Sequence, residues 1–140
     1  RWKDYIFSNH DWEFNEESII VGHSAGAAFI LCLLQNLPLN TKINKAILVA
    51  GFVTLGSDKE VNEIKKGLLK HPFNWNKIKS LSNHFYFIHS DNDRYECDIK
   101  QGEIMQQKLG GELIFISAED HFNLETSPRY KKFPYLLKLI

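Results

Sequence analysis

Gly22-His23-Ser24-Ala25-Gly26 sets a serine among small residues in the pattern G-x-S-x-G. A serine hydroxyl is a weak nucleophile, so acyl transfer needs an adjacent base and a third group to orient that base. The pattern suits this chemistry where it joins a strand to a helix. A sharp turn there lifts the hydroxyl above the sheet, and small neighbours let the strained backbone pass close to strand and helix. The first N–H groups of the following helix have no intrahelical partner and sit at its positive end. Ser24 is therefore the expected nucleophile, with the Ala25 N–H as an expected oxyanion donor.

The acid and the base should follow on later loops, in the order Ser, acid, His. Ser90-Asp91-Asn92-Asp93 comes directly after an apolar run and offers two aspartates. Asp93 lies further into the turn and is better placed to reach a histidine. Asp91 is expected to cap the turn or to hydrogen-bond its own backbone. The same run lacks the Gly at position 6 and the Glu at position 12 of a calcium loop. Six histidines compete for the base. His121 follows the last strand, in the loop where a third triad member belongs. His23 should point away from the serine hydroxyl. His84 and His89 lie in or beside a strand and read as structural, and His10 and His71 have no matched partner.

These residues need a scaffold that gathers loops at one end. Ser18 to Val21 reads as a short strand, and Ala25 to Gln35 as a buried helix stopped by Pro38. Ala46–Gly51, Phe85–His89 and Glu112–Ile116 read as further strands. The first of these is apolar without alternation, as in a parallel sheet covered on both faces. Between Gly56 and Ser80 a helix is expected to bury Val61, Ile64, Leu68 and Leu69, with Ser57 or Asp58 as its cap, until His71-Pro72-Phe73-Asn74-Trp75 breaks it. Asp98–Leu109 reads as a helix ending at Gly110, and Tyr130–Ile140 as a short terminal one. Strands alternating with helices predict a three-layer α/β/α sandwich with a mainly parallel sheet, in one domain over residues 1–140.

Composition removes other classes. Lys plus Arg and Asp plus Glu number 17 each, and the basic residues (Lys65 and Lys66 among them) are scattered, which argues against nucleic acid. No run approaches the ~18 apolar residues of a membrane span. Cys32 and Cys97 form neither a disulfide framework nor a zinc pattern, so no metal or cofactor is expected and a cytoplasmic setting is.

The chain resembles the small retinoblastoma-binding-protein and YdeN-like serine hydrolases of the α/β-hydrolase superfamily. The resemblance is carried by the G-x-S-x-G, by Pro72-Phe73-Asn74-Trp75-Asn76-Lys77-Ile78, by Ser90-Asp91-Asn92-Asp93, by Asp120-His121-Phe122 and by Phe133-Pro134-Tyr135. It implies Ser24 as nucleophile, Asp93 as acid and His121 as base. Asp120 stands where that family usually has Gly. Arg94 and Cys97 stand where it usually has Pro, which predicts a less rigid Asp93 loop. Family members open with a strand and a His-Gly loop. This chain opens with Arg1-Trp2-Lys3 and shows no strand before Asn15, so further upstream residues are expected, and without them an exposed apolar edge on the Ser24 strand.

The expected function is cleavage of a small-molecule or peptide ester or amide through an acyl-enzyme. The alternative is a protein-binding module that keeps the fold with little turnover, although the Leu-x-Cys-x-Glu motif for a retinoblastoma pocket is missing. The substrate pocket is expected from the segment between Phe52 and Ser80. Phe73, Trp75 and Phe122 are candidates either for lining it or for ordinary packing.

Overall fold

A computed structural model describes residues 2–8 and 13–140. Four strands, β1 (Ile19–His23), β2 (Ile43–Val49), β3 (Ser82–His89) and β4 (Glu112–Phe115), form one parallel sheet in the order β1-β2-β3-β4. Five α-helices accompany them: α1 (Trp2–Ser8), α2 (Ala25–Leu34), α3 (Lys59–Lys66), α4 (Trp75–Ser80) and α5 (Ile99–Leu109). The α1 helix has no counterpart in the sequence reading.

Both faces of the sheet are buried, as the uniformly apolar strands require. Ala46, Leu48, Phe85 and Phe87 pack with Ile30, Leu31 and Leu34 of α2 and with Met105 and Leu109 of α5. On the opposite face Ile47, Val49, Ile88 and Ile114 pack with Phe122 and with Tyr130, Phe133 and Leu136 of the tail. That second layer is made of two 3-10 turns, Pro128–Lys131 and Pro134–Lys138, rather than the single helix expected from Tyr130. Pro128 and Pro134 each fix an opening φ and withhold a donor, which favours short turns over a continuous helix.

The expected break over residues 71–75 falls in the gap between α3 and α4, although α3 already ends at Lys66, and each helix has its own cap. Asp58 accepts from the Glu60 and Val61 N–H groups, and Asn74 accepts from the Lys77 N–H. The buried face of α3 also differs from the periodicity reading. Ile64 is 72% exposed and its neighbour Lys65 only 2%.

The register pairs His23 with Val49 and Val49 with Ile88, and the ladder runs one bond further at each carboxyl end. Ser24 N–H donates to Val49 O at 2.9 Å, Ala50 N–H to Ile88 O at 2.9 Å, and Ile116 N–H to His89 O at 3.0 Å. Those three bonds bring the loops after β1, β2, β3 and β4 to one edge. Among the described residues β1 has no neighbour beyond β2, and Val21 on it is 43% exposed.

Candidate active site

Ser24 sits at the turn from β1 to α2 with φ 56° and ψ −120°, a left-handed φ that a residue with a Cβ adopts at a cost. The turn is held by the Ser24 N–H bond to Val49 and by the Ser24 carbonyl, which accepts from Ala27 N at 3.0 Å. The hydroxyl takes no part in capping α2. Gly22 is needed for close packing, since a Cβ there would lie 2.6 Å from the Gly26 carbonyl oxygen and 2.7 Å from Ile30 Cδ1. Gly26 differs: a Cβ there meets nothing within 4 Å.

The loop after β3 grips the loop after β4 residue by residue. Asp91 accepts from Ala118 N–H at 2.8 Å and Ser117 Oγ at 3.0 Å. Ser90 Oγ accepts from Glu119 N–H at 3.0 Å, and Asn92 Oδ1 from Asp120 N–H at 2.8 Å. The last rung is the Asp93–His121 pair, with His121 Nδ1 donating to Asp93 Oδ2 at 2.6 Å. Asp91 thus braces the opposite loop as well as bonding within its own turn, where its own N–H and the Ser90 hydroxyl also reach its carboxylate, because the parallel register brings residues 117–118 directly alongside it.

The Asp93 carboxylate is fully shielded, and its second oxygen accepts from the Tyr95 N–H at 2.8 Å. With Nδ1–H directed at a carboxylate, the neutral His121 ring carries its free lone pair on Nε2. His121 is 4% exposed and lies between two rings, His23 and Tyr95, each with its centroid 4.7 Å away. His23 Nε2 donates to the His121 carbonyl at 2.7 Å. His23 therefore supports the His121 loop, a role its position beside Ser24 did not signal. The tie spans 98 residues of sequence.

Ser24 and His121 line a single cavity of about 430 Å³, together with Ala25, Phe52, Lys65 and Cys97. No hydrogen bond joins Ser24 Oγ to the imidazole among the described residues. Phe73 and Trp75 lie outside that cavity, packed against each other at 5.1 Å and against the α2 side of the core. Phe122 is buried among Tyr130 and Phe133, both at 5.6 Å. All three are packing residues.

The remaining histidines stand elsewhere. His89 is buried, its Nδ1 donating to the Cys97 carbonyl at 2.9 Å, while its Nε2 has no hydrogen-bond partner among the described residues. Burial lowers its pKa, which keeps it neutral. His84 lies in β3, His71 is exposed, and His10 lies outside the described residues.

Asp93, Cys97 and His121 bring one ligand-type atom each within 4.8 Å of the others. The carboxylate and the imidazole nitrogen are already bonded to each other, and burial pushes the Cys97 thiol up to about 12. A metal here would need a deprotonated thiol and a broken Asp–His bond, so we assign none. No helix among the described residues is long and apolar enough to cross a membrane.

A family model described as serine hydrolase matches residues 2–140. Among solved structures, the ydeN gene product of B. subtilis is similar over 99% of this chain and 70% of its own, with TM-score 0.82 and 22% identity. A lipase-esterase related protein from Clostridium acetobutylicum covers 99% of this chain and 72% of its own, with TM-score 0.66 and 14% identity. A serine hydrolase from a polyaromatic-hydrocarbon-degrading Cycloclasticus covers 89% and 63%, with TM-score 0.63 and 14% identity. At such identities the likeness carries the fold, which is that of the α/β hydrolases. No curated protein sequence matches the chain.

Proposed function

The chain belongs to the serine hydrolase family, and from that membership we propose that it cleaves a small ester or amide through an acyl-enzyme on Ser24. The observation that carries the reading is the 2.6 Å bond from His121 Nδ1 to the buried Asp93 carboxylate, in a loop lining the same cavity as Ser24. His121 Nε2 takes the serine proton as Oγ attacks the substrate carbonyl carbon. The imidazolium that forms is stabilised by Asp93. The carbonyl oxygen becomes an oxyanion, for which the Ala25 N–H at the start of α2 is a donor.

Collapse of this intermediate breaks the bond to the leaving group, which leaves with the proton from His121. Water, deprotonated by the same imidazole, then attacks the acyl-serine and releases the acid. The bond from the serine hydroxyl to its base is one that forms or tightens as substrate is held against both. Residues 1–140 act as one domain in this reading. Its two free cysteines fit a reducing, cytoplasmic setting.

The test is covalent labelling with a fluorophosphonate probe, beside Ser24→Ala and His121→Ala. Labelling should vanish in the first variant and collapse in the second. A folded protein that takes no label would overturn the hydrolase reading and favour a binding module.

A further inference from the structure

Lys65 is the least ordinary residue of the Ser24 cavity. It is 2% exposed on a helix whose neighbouring Ile64 and Lys66 face solvent. Burial of an ammonium is costly unless its three N–H groups find acceptors. Among the described residues its Nζ has one hydrogen bond, 3.3 Å long, to the neutral carbonyl of Glu96. Its other neighbour is the Phe52 ring, 5.2 Å to the centroid.

Glu96 holds its carboxylate near enough to feel the charge of Lys65, but the oxygens take their hydrogen bonds elsewhere. Its carboxylate accepts from Ser57 N–H at 2.8 Å, Ser57 Oγ at 2.6 Å and Asp58 N–H at 3.2 Å. Two other carboxylates line the cavity, Glu60 and Glu125, and both are exposed at its mouth. Glu125 is further engaged by the Tyr95 hydroxyl at 2.9 Å. The interior therefore holds a cation with donors to spare and no free anion. Lys65 and Phe52 both line the cavity that Ser24 and His121 line.

We propose that Lys65 is an anion subsite of this cavity, and that the preferred substrates are small esters or amides bearing a carboxylate that meets it. The proposal rests on the reading of the Ser24 cavity as a substrate site. A carboxylate there exchanges water for a charge-assisted bond in a low-dielectric pocket, where such bonds are strongest. It also completes the ammonium's hydrogen bonding, whereas a neutral isostere leaves it unsatisfied and is rejected.

The experiment compares kcat/KM for two ester pairs: 4-nitrophenyl hemiglutarate against 4-nitrophenyl valerate, and 4-acetoxybenzoate against its methyl ester. The wild type should favour the carboxylate in at least one pair by about tenfold or more, and Lys65→Met should abolish that preference. Equal turnover within both pairs, or a preference that survives Lys65→Met, overturns the proposal. If Lys65→Met does not fold, Lys65→Gln and the wild-type ratios decide it.

Binding of glutarate, followed by NMR titration of the wild type, Ser24→Ala and Lys65→Met, separates this proposal from the hydrolase reading. Saturable binding that Ser24→Ala keeps and Lys65→Met loses, in a protein that takes no fluorophosphonate, sustains the anion site and removes the hydrolase. Labelling without glutarate binding and without an ester preference does the reverse.

Discussion

Arg94 and Asp120 are partners across the two loops that carry Asp93 and His121. Arg94 N–H donates to Asp120 Oδ1 at 3.1 Å, Nε to Oδ2 at 2.8 Å, and a terminal nitrogen reaches Oδ2 at 2.6 Å. Each is adjacent to a triad candidate, and with Cys97 they are the positions at which the resemblance led to an expectation of Pro or Gly. Asp120 has φ 50°, a left-handed conformation that glycine suits and that aspartate is among the residues to tolerate. The Arg94 fork ties the two loops directly to each other.

The pair should therefore behave as a unit. Arg94 is 53% exposed at its side chain, so Arg94→Ala should shift the melting temperature little. Its effect on turnover should be larger, because the pair fixes the spacing of Asp93 and His121. In a double-mutant cycle of Arg94→Ala and Asp120→Ala on kcat/KM, the losses should not add, the double variant being no worse than the poorer single one. Strictly additive effects would show that the loops are held by the other rungs alone.

The two aspartates of the Ser90-Asp91-Asn92-Asp93 run should separate cleanly. Asp93→Asn keeps the shape but offers His121 Nδ1 the wrong partner, so kcat should fall by about 10³–10⁴. Asp91→Ala removes the bonds to Ala118 and Ser117 and leaves Asp93 in place. Its main effect should be on the melting temperature, with a far smaller loss of kcat. The reverse pattern would reassign the acid.

Much of this was legible because the strands are uniformly apolar and end in residues with distinctive chemistry. Ser24, Asp93 and His121 each follow a strand, so strand order alone gathers their loops. Where the reading departed from the structure, side-chain reach decided the outcome. Lys65 looked like one more dispersed surface charge, since helical periodicity cannot tell that its ammonium folds under α3 toward Phe52 and Glu96. Asp91 read as a local turn residue, which it is in part, because turn chemistry is written in neighbours; its shortest bonds go to partners 26 and 27 residues on. The tail's 3-10 turns are set by Pro128 and Pro134 and by aromatic packing on Phe122, which pattern alone does not reveal.

The glycines on either side of Ser24 should respond oppositely to the same change. In Gly22→Ala the new methyl would press on backbone, the Gly26 carbonyl, and on Ile30. Denaturant unfolding should show a loss of about 1–3 kcal/mol. In Gly26→Ala the methyl meets nothing within 4 Å, in the first turn of α2. That variant should unfold at the same denaturant concentration or up to about 1 kcal/mol higher, since alanine is the better helix former. Equal losses in both would mean that the turn, rather than the strand–helix contact, demands glycine.

Glu96 gives the fold a defined acid sensitivity. Hydrogen bonds from Ser57 Oγ first, then from the Ser57 and Asp58 N–H groups, hold its carboxyl down to about 2 from the ordinary 4.5. A folded-state value below the unfolded one means that the ionised form favours folding. That contribution is complete above about pH 4.5 and fades as the pH falls toward 2. Glu96→Gln keeps one acceptor oxygen and loses the charge, so its melting temperature should lie below the wild type's at neutral pH. The two melting curves should converge on acidification through that window. Because Glu96 ties the residues before α3 to the Asp93 loop, the same variant should raise KM more than it lowers kcat. A gap between the melting temperatures that stays constant down to pH 2.5 would show that the charge of Glu96 is immaterial to the fold.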